Sequence, residues 1–154
     1  MTCELVVDER VVLVVWGTPE LDDLVQLEQT ICAVYEERGP VVFIARVPPS
    51  APPPDELFRA ELTKVLGRFM SRLVSYHAVV EGRGFFAAAK RTVLATIFLM
   101  SGQSRAFNVH ATVEEVLPAV PPGYREEVRS ALSYFRLRGH FAHSLRPQAK
   151  ARAS

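Results

Sequence analysis

The residues most able to bind a ligand lie in the stretch HAVVEGRGFFAAAKR, residues 77–91, where an apolar run meets two glycines and a helix pattern begins. Gly82, Gly84 and Ala87 have the G-x-G-x-x-A spacing of the turns that hold the pyrophosphate of a dinucleotide. Free backbone N–H groups at a helix N-terminus attract anions, and Arg83 would add a positive charge. The spacing therefore predicts either an anion-binding turn at Gly82, Arg83 and Gly84 or a tight strand-to-helix corner.

Three features favour the corner over a dinucleotide site. The motif comes late, at the third helical crossover and with only one more strand after it, whereas a dinucleotide fold normally opens with it. The acidic residue expected about 20 positions later is missing, because the next strand pattern ends in HAT at residues 110–112. Phe85 and Phe86 occupy the first helical turn, where we expect them to pack onto a sheet. The sequence therefore predicts no cofactor, although a carrier site for a hydrophobic or anionic small molecule, a lipid or a nucleotide, near residues 82–86 stays as an alternative.

No other group of residues has the spacing of a catalytic or metal site. His77 and His110 fall in two strand patterns that could be neighbours, but no carboxylate or thiol lies at ligand spacing, so we expect core or edge histidines. The chain has no G-x-S-x-G elbow. Its adjacent glutamate pairs, such as Glu126 and Glu127, point in different directions on a helix. These observations predict a non-enzymatic protein without a metal site.

The composition is that of an ordinary globular chain. The 154 residues are 49% hydrophobic, and 18 basic against 17 acidic residues leave a net charge of +1, which predicts no specific nucleic-acid partner. Cys3 and Cys32 lack metal-ligand spacing and are expected to be free thiols in a reducing cytosol. The most apolar stretch, residues 85–100, contains Lys90 and Arg91 and is shorter than the roughly 20 residues of a membrane span. Because the N-terminus lacks a secretory signal pattern, we expect a cytoplasmic protein.

The chain around these residues alternates between strand and helix patterns. Two β-branched runs, CELVVDE and VVLVVWG, flank a charged break and predict a hairpin. A helix comes next, with Thr18 as its cap and Pro19 in its first turn, and it leads to the buried-strand pattern VVFIARV. PPSAPPP, residues 48–54, is too rich in proline for a helix or a central strand, and Asp55 caps the next helix.

The second half of the chain continues this alternation. SYHAVVEG, GFFAAAKRTVLATIFLM and AFNVHA predict strand, helix and strand, and Thr112 with Glu115 forms a capping box for a brief helix. Strands joined by helical crossovers pair in parallel. The sequence therefore predicts an α/β fold with a mixed, mostly parallel sheet of about five strands over residues 1–120. An amphipathic helix at 121–141 and a basic, disordered tail at 142–154 complete the chain.

Two surfaces could meet a partner. The helix pattern at 85–100 is apolar nearly all round, so it needs cover on more than one side. The C-terminal helix is the first expected cover, a second copy of the chain in a homodimer is the next, and another protein is the third. The basic tail could make a weak contact with an anionic membrane surface.

The order of elements over residues 4–120 resembles the STAS domain family, the anti-sigma-factor antagonist fold, and within it a bacterial STAS-like branch grouped with CRAL-TRIO-type lipid-transfer domains. The stretches that carry the likeness are ELVVDERVVLVVWG, PELDDLVQLEQTICAVYEERG with PVVFIARV, and SYHAVVEGRGFFAAAKRTVLATIFLMSGQSRAFNVHATVEEVL. The resemblance implies a non-enzymatic module that binds protein partners in a bacterial signalling, regulatory or scaffolding assembly.

Classical members of that family carry a phosphorylated serine in an Asp-Ser-x-Gly loop after the third strand. At this place the chain reads ARVPPSAPPPDE, in which Ser50 comes after a proline and no glycine is present, so the family's kinase switch is not expected. Loops at the carboxyl ends of parallel strands are where such sheets place their sites, and the predicted partner-binding residues lie in and beside those loops. They are Pro49, Ser50, Asp55, Phe58, Arg83, Phe85 and Phe86.

Overall fold

The computed structural model describes residues 3–101, 107–138 and 147–149 of the chain. Within these ranges one sheet has the strand order β5-β4-β3-β2-β1-β6. The strands are β1 (Glu4–Asp8), β2 (Val11–Val15), β3 (Val41–Val47), β4 (Leu73–Val80), β5 (Phe107–His110) and β6 (Pro147–Ala149). The helices are α1 (Leu21–Arg38), α2 (Glu56–Phe69), α3 (Phe85–Ser101), α4 (Val116–Ala119) and α5 (Arg125–Arg138).

The strand pairing confirms the predicted fold class, a mixed and mostly parallel α/β sheet. β1 and β2 form the antiparallel hairpin, and their tight turn places Glu9 at a φ of 52°. β2, β3, β4 and β5 then pair in parallel in chain order. Each step from one of these strands to the next passes through a helix, because a parallel neighbour requires a crossover connection. The carboxyl ends of β2 to β5 consequently lie at one edge of the sheet.

One face of the sheet, which we call the first face, is covered by α1, α2 and α3. Its core contains inward residues of all three helices together with alternate residues of the strands. Phe43 lies at the centre, where its ring meets Phe69 at 5.9 Å and Tyr76 at 4.5 Å, both edge to face. Such aromatic contacts add to the burial of apolar area that stabilises the layer.

The opposite face, which we call the second face, is covered by α4 and α5. Val128, Ala131 and Leu132 of α5 pack onto β1 and β2, and Val116 of α4 joins the same core. The expectation that the C-terminal helix covers α3 is therefore wrong, since α3 lies on the other side of the sheet. The apolar stripe of α5 therefore packs on the second-face side of the hairpin that β1 and β2 form.

A clasp between the hairpin turn and α5 holds this last helix in place. Glu127 accepts hydrogen bonds from the backbone N–H of Arg10 at 2.9 Å and from its guanidinium Nε at 3.0 Å. The same guanidinium donates to the carbonyl of Gly123 at 3.1 Å and stacks 3.9 Å from the ring centroid of Tyr124. The charged break of the hairpin thus serves as the attachment point for the C-terminal helix.

The start of one helix agrees with its predicted cap, and the start of another does not. Asp55 caps α2, accepting from the N–H of Phe58 at 2.7 Å, as predicted. α1 begins at Leu21 rather than beside Thr18, and its first turn is closed by Asp23, which accepts from the N–H of Glu20 at 2.8 Å. An acid three residues inside the helix can reach back to the cap residue, and here it does so in preference to the earlier threonine.

The predicted capping box at the start of the brief fourth helix is also only half formed. Thr112 makes no side-chain cap, and a single 3-10 turn, Val113–Glu115, precedes α4. Glu115 instead accepts from the N–H of Ala111 at 3.0 Å, one residue before the expected donor. Thr112 has the extended backbone of a cap residue, but its hydroxyl makes no capping hydrogen bond, so only the Glu115 half of the box contributes.

Three residues of the tail that the sequence predicts to be disordered take part in the sheet. Pro147–Ala149 form β6, which pairs with β1 in parallel, with Val6 opposite Gln148. The edge of β1 offers backbone N–H and C=O groups that a further strand can satisfy. The remainder of the predicted tail, 142–146 and 150–154, and the end of the predicted helix, 139–141, lie outside the described residues.

Candidate functional site

The glycine stretch is a strand-to-helix corner that hydrogen bonds and packing hold in place. Gly82 and Gly84 have φ angles of 107° and 89°, which favour glycine over other residues, and α3 begins directly afterwards. Arg91, in the second turn of the helix, donates to the carbonyls of Val80 at 3.1 Å and Gly82 at 3.0 Å. Pro49 lies against Gly82, and a Cβ there would stand 3.5 Å from the proline. The corner is therefore fixed by both its conformation and its neighbours.

Beside this corner, on the second face, lies a cleft of about 590 Å³. Its floor is apolar and consists of Leu13, Ile44 and Val79, with Leu132 of α5 as one wall. The loop after β5 forms the opposite wall, and Arg83 stands at the rim. The cleft occupies the carboxyl edge of the parallel strands, the place where open α/β sheets receive their ligands.

The charges around the cleft are mostly engaged within the protein. Arg46 donates to both oxygens of Glu81, with one N–O distance of 3.0 Å, and the pair is largely buried. Glu114, on the far wall, also interacts within the molecule. Arg83 is exposed, and among the described residues no hydrogen bond or ion pair engages its side chain. The cleft therefore offers one uncommitted guanidinium above an apolar floor.

The proline-rich loop shows that two predicted partner-binding residues have other roles. Phe58 is only 6% exposed and packs edge to face on Trp16 at 5.9 Å, so it is not available to a partner. Phe58 is close to the loop in sequence, but it is buried because it lies on the inward side of α2. Asp55 is held by its capping bond to α2. Ser50 is exposed within a tight turn, in which Ala51 donates to the carbonyl of Pro48 at 3.0 Å.

Phe85 and Phe86 are the most exposed large apolar side chains of the described chain, at 82% and 76%. The expectation that they pack onto the sheet is wrong. Among the described side chains of α3, Ala87, Lys90 and Ile97 are buried, and Lys90 donates from Nζ to the carbonyl of Pro49 at 3.2 Å. The period of the helix places both phenylalanines outside this inward stripe, where their rings meet each other at 6.0 Å.

The exposed side of α3 continues as an apolar surface to the end of the helix. Leu99 and Met100 are 70% and 74% exposed. Between the two ends lie small side chains, and Thr96 donates its hydroxyl to the carbonyl of Thr92 at 2.9 Å within the helix. Thr92 does the same to Ala88, at 3.1 Å. Because these hydroxyls bond back to their own helix, both threonines add methyl groups to an uncharged surface.

The second face also contains a buried polar cluster that the sequence indicates only in part. His77 and His110 do face each other across β4 and β5, as the strand patterns allow, with His77 Nδ1 3.0 Å from His110 Nε2. Ser75 Oγ lies 2.9 Å from His77 Nε2, and Glu115 lies 3.7 Å from His110 Nδ1. The carboxylate that sequence spacing misses is supplied by the turn after β5.

Burial dominates the electrostatics of this cluster. It lowers the pKa of His77 to about 4, and the neighbouring His110 acts on that pKa in the same direction. Burial also lowers the pKa of His110, against the opposing influence of Glu115. Within the described ranges no three His, Cys, Asp or Glu side chains form a group that could hold a metal ion. The cluster is a chain of satisfied polar groups inside the second face.

Most of the predicted site residues lie in one of three places: the cleft on the second face, the exposed side of α3, or the core. Gly82, Arg83 and Pro49 line the cleft together. Phe85 and Phe86 begin the exposed surface of α3, and Phe58 belongs to the core. In the part of the chain that the structure describes, no helix is long and apolar enough to span a bilayer. No protein-family model, no curated protein and no solved structure matches this chain.

Proposed function

We propose that this chain is a non-enzymatic protein-interaction module, of the STAS-like kind that its element order resembles, and that it binds through the outer side of α3. The observation that carries the proposal is the exposed apolar surface of that helix. Four large apolar side chains on it are at least 70% exposed: Phe85, Phe86, Leu99 and Met100. A continuous apolar surface of this kind typically marks a contact with another protein.

The area of this surface suits an interface between two chains. At roughly 200 Å² for a whole aromatic side chain, Phe85 and Phe86 expose on the order of 300 Å² per chain. With Leu99 and Met100 included, two such surfaces would bury on the order of 1,000 Å² from these side chains alone. The small residues between them bring a pair of chains into the range of about 1,200–2,000 Å² that specific interfaces require.

The occupant we assign is a second copy of this chain. The C-terminal helix, the first cover expected from the sequence, lies on the opposite face of the sheet. The exposed side of α3 is uncharged, because Lys90 turns inward and Arg91 bonds the corner, so two copies would not repel each other. An antiparallel pairing would set the phenylalanine end of one helix on the Leu99 and Met100 end of the other, with small residues at the crossing.

Sedimentation of the full chain tests this assignment. We expect the wild-type protein to be a dimer and the double variant Phe85→Ser with Leu99→Ser to dissociate at least tenfold more readily, since a buried aromatic contact is worth more than about 1 kcal/mol. Val25→Ser is the matched control, because Val25 is 52% exposed on α1, which α2 separates from α3. Circular dichroism of each variant checks that the fold is retained.

Two results would contradict the assignment. If the wild-type chain sediments as a monomer, a second copy does not cover the exposed side of α3. A double variant that dimerises as tightly as Val25→Ser would place the interface on another surface. A role in a bacterial signalling or scaffolding assembly follows from the resemblance and stays a prediction, as does a cytoplasmic location.

A further inference from the structure

The cleft on the second face is separate from the surface assigned to dimer formation. We propose that it binds a small amphiphilic anion, with an acid head group at Arg83 and an apolar body along Leu13, Ile44 and Val79. The shared chemistry of such ligands is one carboxylate or phosphate on an aliphatic or aromatic body. This binding would be a second property of the protein, independent of the α3 surface.

The dimensions of the cleft agree with a ligand of this kind. About 590 Å³ lies in the middle of the range, roughly 300–1,000 Å³, that small-molecule sites occupy. Three strands contribute the apolar floor, and Leu132 closes it from the side of α5. These are rigid elements, so the site is formed before any ligand arrives. An apolar body placed there would remove its own surface from water and lie against side chains that are already buried.

The charge of the head group follows from which side chains are already paired. Arg46 and Glu81 satisfy each other in the wall, and Glu114 is engaged elsewhere in the molecule. Arg83 alone among the charged lining residues has no partner within the described chain. A guanidinium at the mouth of an apolar cleft binds carboxylate and phosphate through charge-assisted hydrogen bonds. A cationic head group would find no such uncommitted partner in the lining.

The backbone around the glycine corner also favours a negatively charged head group. The amides of Gly82 and Arg83 belong to the turn before α3, and Gly82 lines the cleft next to Pro49. The first turn of a helix leaves N–H groups without intrahelical acceptors, which favours negative charge nearby. Arg91 donates to the carbonyls of Val80 and Gly82, so these two acceptors of the corner are already bonded. The positive end of α3, which begins at Phe85, therefore follows directly after the residues that line the cleft.

Calorimetric titration of the full chain with four probes tests the ligand class. The probes are decanoate, decyl phosphate, the neutral alcohol decanol and inorganic phosphate, each below the concentration at which it forms micelles. We expect one or both of the amphiphilic anions to bind at least tenfold more tightly than decanol and than inorganic phosphate. Which of the two binds more tightly identifies the head group. Equal binding of decanol, tighter binding of inorganic phosphate, or no binding of either anion would overturn the proposal.

Variants then test the place of binding. Arg83→Ala should weaken binding at least about tenfold, the loss expected for one charge-assisted hydrogen bond, and Arg83→Lys should restore part of it. Lys64→Ala is the matched control, because it removes one positive charge from the exposed side of α2. Ala111→Trp should abolish binding by filling the cleft, since Ala111 is exposed and lines it.

Two further outcomes separate this site from the α3 surface. Leu99→Ser, at the far end of α3, should leave the affinity unchanged, whereas a loss there would mean that the probes adsorb to the exposed helix. Unaltered binding by Ala111→Trp, with its fold retained by circular dichroism, would also contradict the proposal. The dimer and the cleft can therefore fail independently of each other.

Discussion

The two faces of the sheet are covered in different ways. On the first face three helices, each part of a crossover, enclose the core, and the cavity between the proline-rich loop and Trp16 is only about 50 Å³. On the second face a short helix and the C-terminal helix pack on β1 and β2 and leave the cleft of about 590 Å³, whose floor includes Leu13 of β2. The second face also holds the histidine pair, whereas the first-face core is almost wholly apolar.

This contrast indicates which face of the sheet has room for a binding site. Crossover helices are placed by the strands that they connect, so the first face is closed by the connectivity of the fold. The second face receives only the segments beyond β5, and its cover is held by a clasp between Arg10 and Glu127. The larger cleft and the buried histidine pair both lie on the face that is covered last.

The largest expected effect is on the free energy of unfolding, and it differs between two neighbouring residues of β3, Phe43 and Ile44. Phe43→Ala should lower the free energy of unfolding by about 3–5 kcal/mol, because the void left among Phe69 and Tyr76 is enclosed. Ile44 points to the second face and lines the cleft, so the space left by Ile44→Ala joins the solvent-accessible volume. We expect a cost near the lower limit, about 2 kcal/mol. Urea unfolding measures both, and equal costs would contradict the contrast.

The next effect uses the titration of the buried histidine pair. The folded protein keeps His77 neutral, with its pKa at about 4 against an ordinary value of 6.5. Between these values the unfolded chain binds a proton that the folded chain does not. Stability is therefore present above pH 6.5 and falls as the pH drops towards 4, by on the order of 3 kcal/mol.

Urea unfolding at pH 7, 5.5 and 4.5 measures this dependence. His77→Gln removes the titrating group while keeping a side chain that can hydrogen-bond to Ser75 or His110. We expect the variant to lose less stability than the wild type over the same range. If the two proteins lose the same amount between pH 7 and 4.5, the titration of His77 is not the source of the dependence.

The smallest of these effects concerns the clasp on α5. Glu127→Ala removes the acceptor of the Arg10 backbone and guanidinium and should cost about 1–2 kcal/mol. Glu126→Ala is the matched control, because Glu126 is exposed and pairs with Arg129 on the same helix, so it should cost less than about 0.5 kcal/mol. Hydrogen exchange should show faster opening of α5 with the first-face helices unaffected. Equal exchange in both variants would mean that the clasp does not hold the second face.

Two phenylalanines show how far sequence reasoning reaches at the site. The sequence assigns both Phe58 and Phe86 to the partner surface, yet one is 6% exposed and the other 76%. Both belong to helices, but only α2 is amphipathic, and Phe58 has the helical spacing from Leu62 and Val65 that predicts a core stripe. For α3 the apolar residues run nearly all round, so the sequence leaves its inward side undefined.

Local sequence was enough to establish the order of the elements up to α5, the hairpin, the parallel pairing of β2 to β5 and the glycine corner, but not β6. These depend on local periodicity, on backbone conformations that glycine favours, and on the rule that parallel strands need crossovers. Three other features emerge only in the folded molecule: the face that α5 covers, the completion of the histidine cluster by Glu115, and the exposure of Phe85 and Phe86. An apolar stripe requires that a helix be covered, but which surface covers it depends on every other element competing for the same sheet.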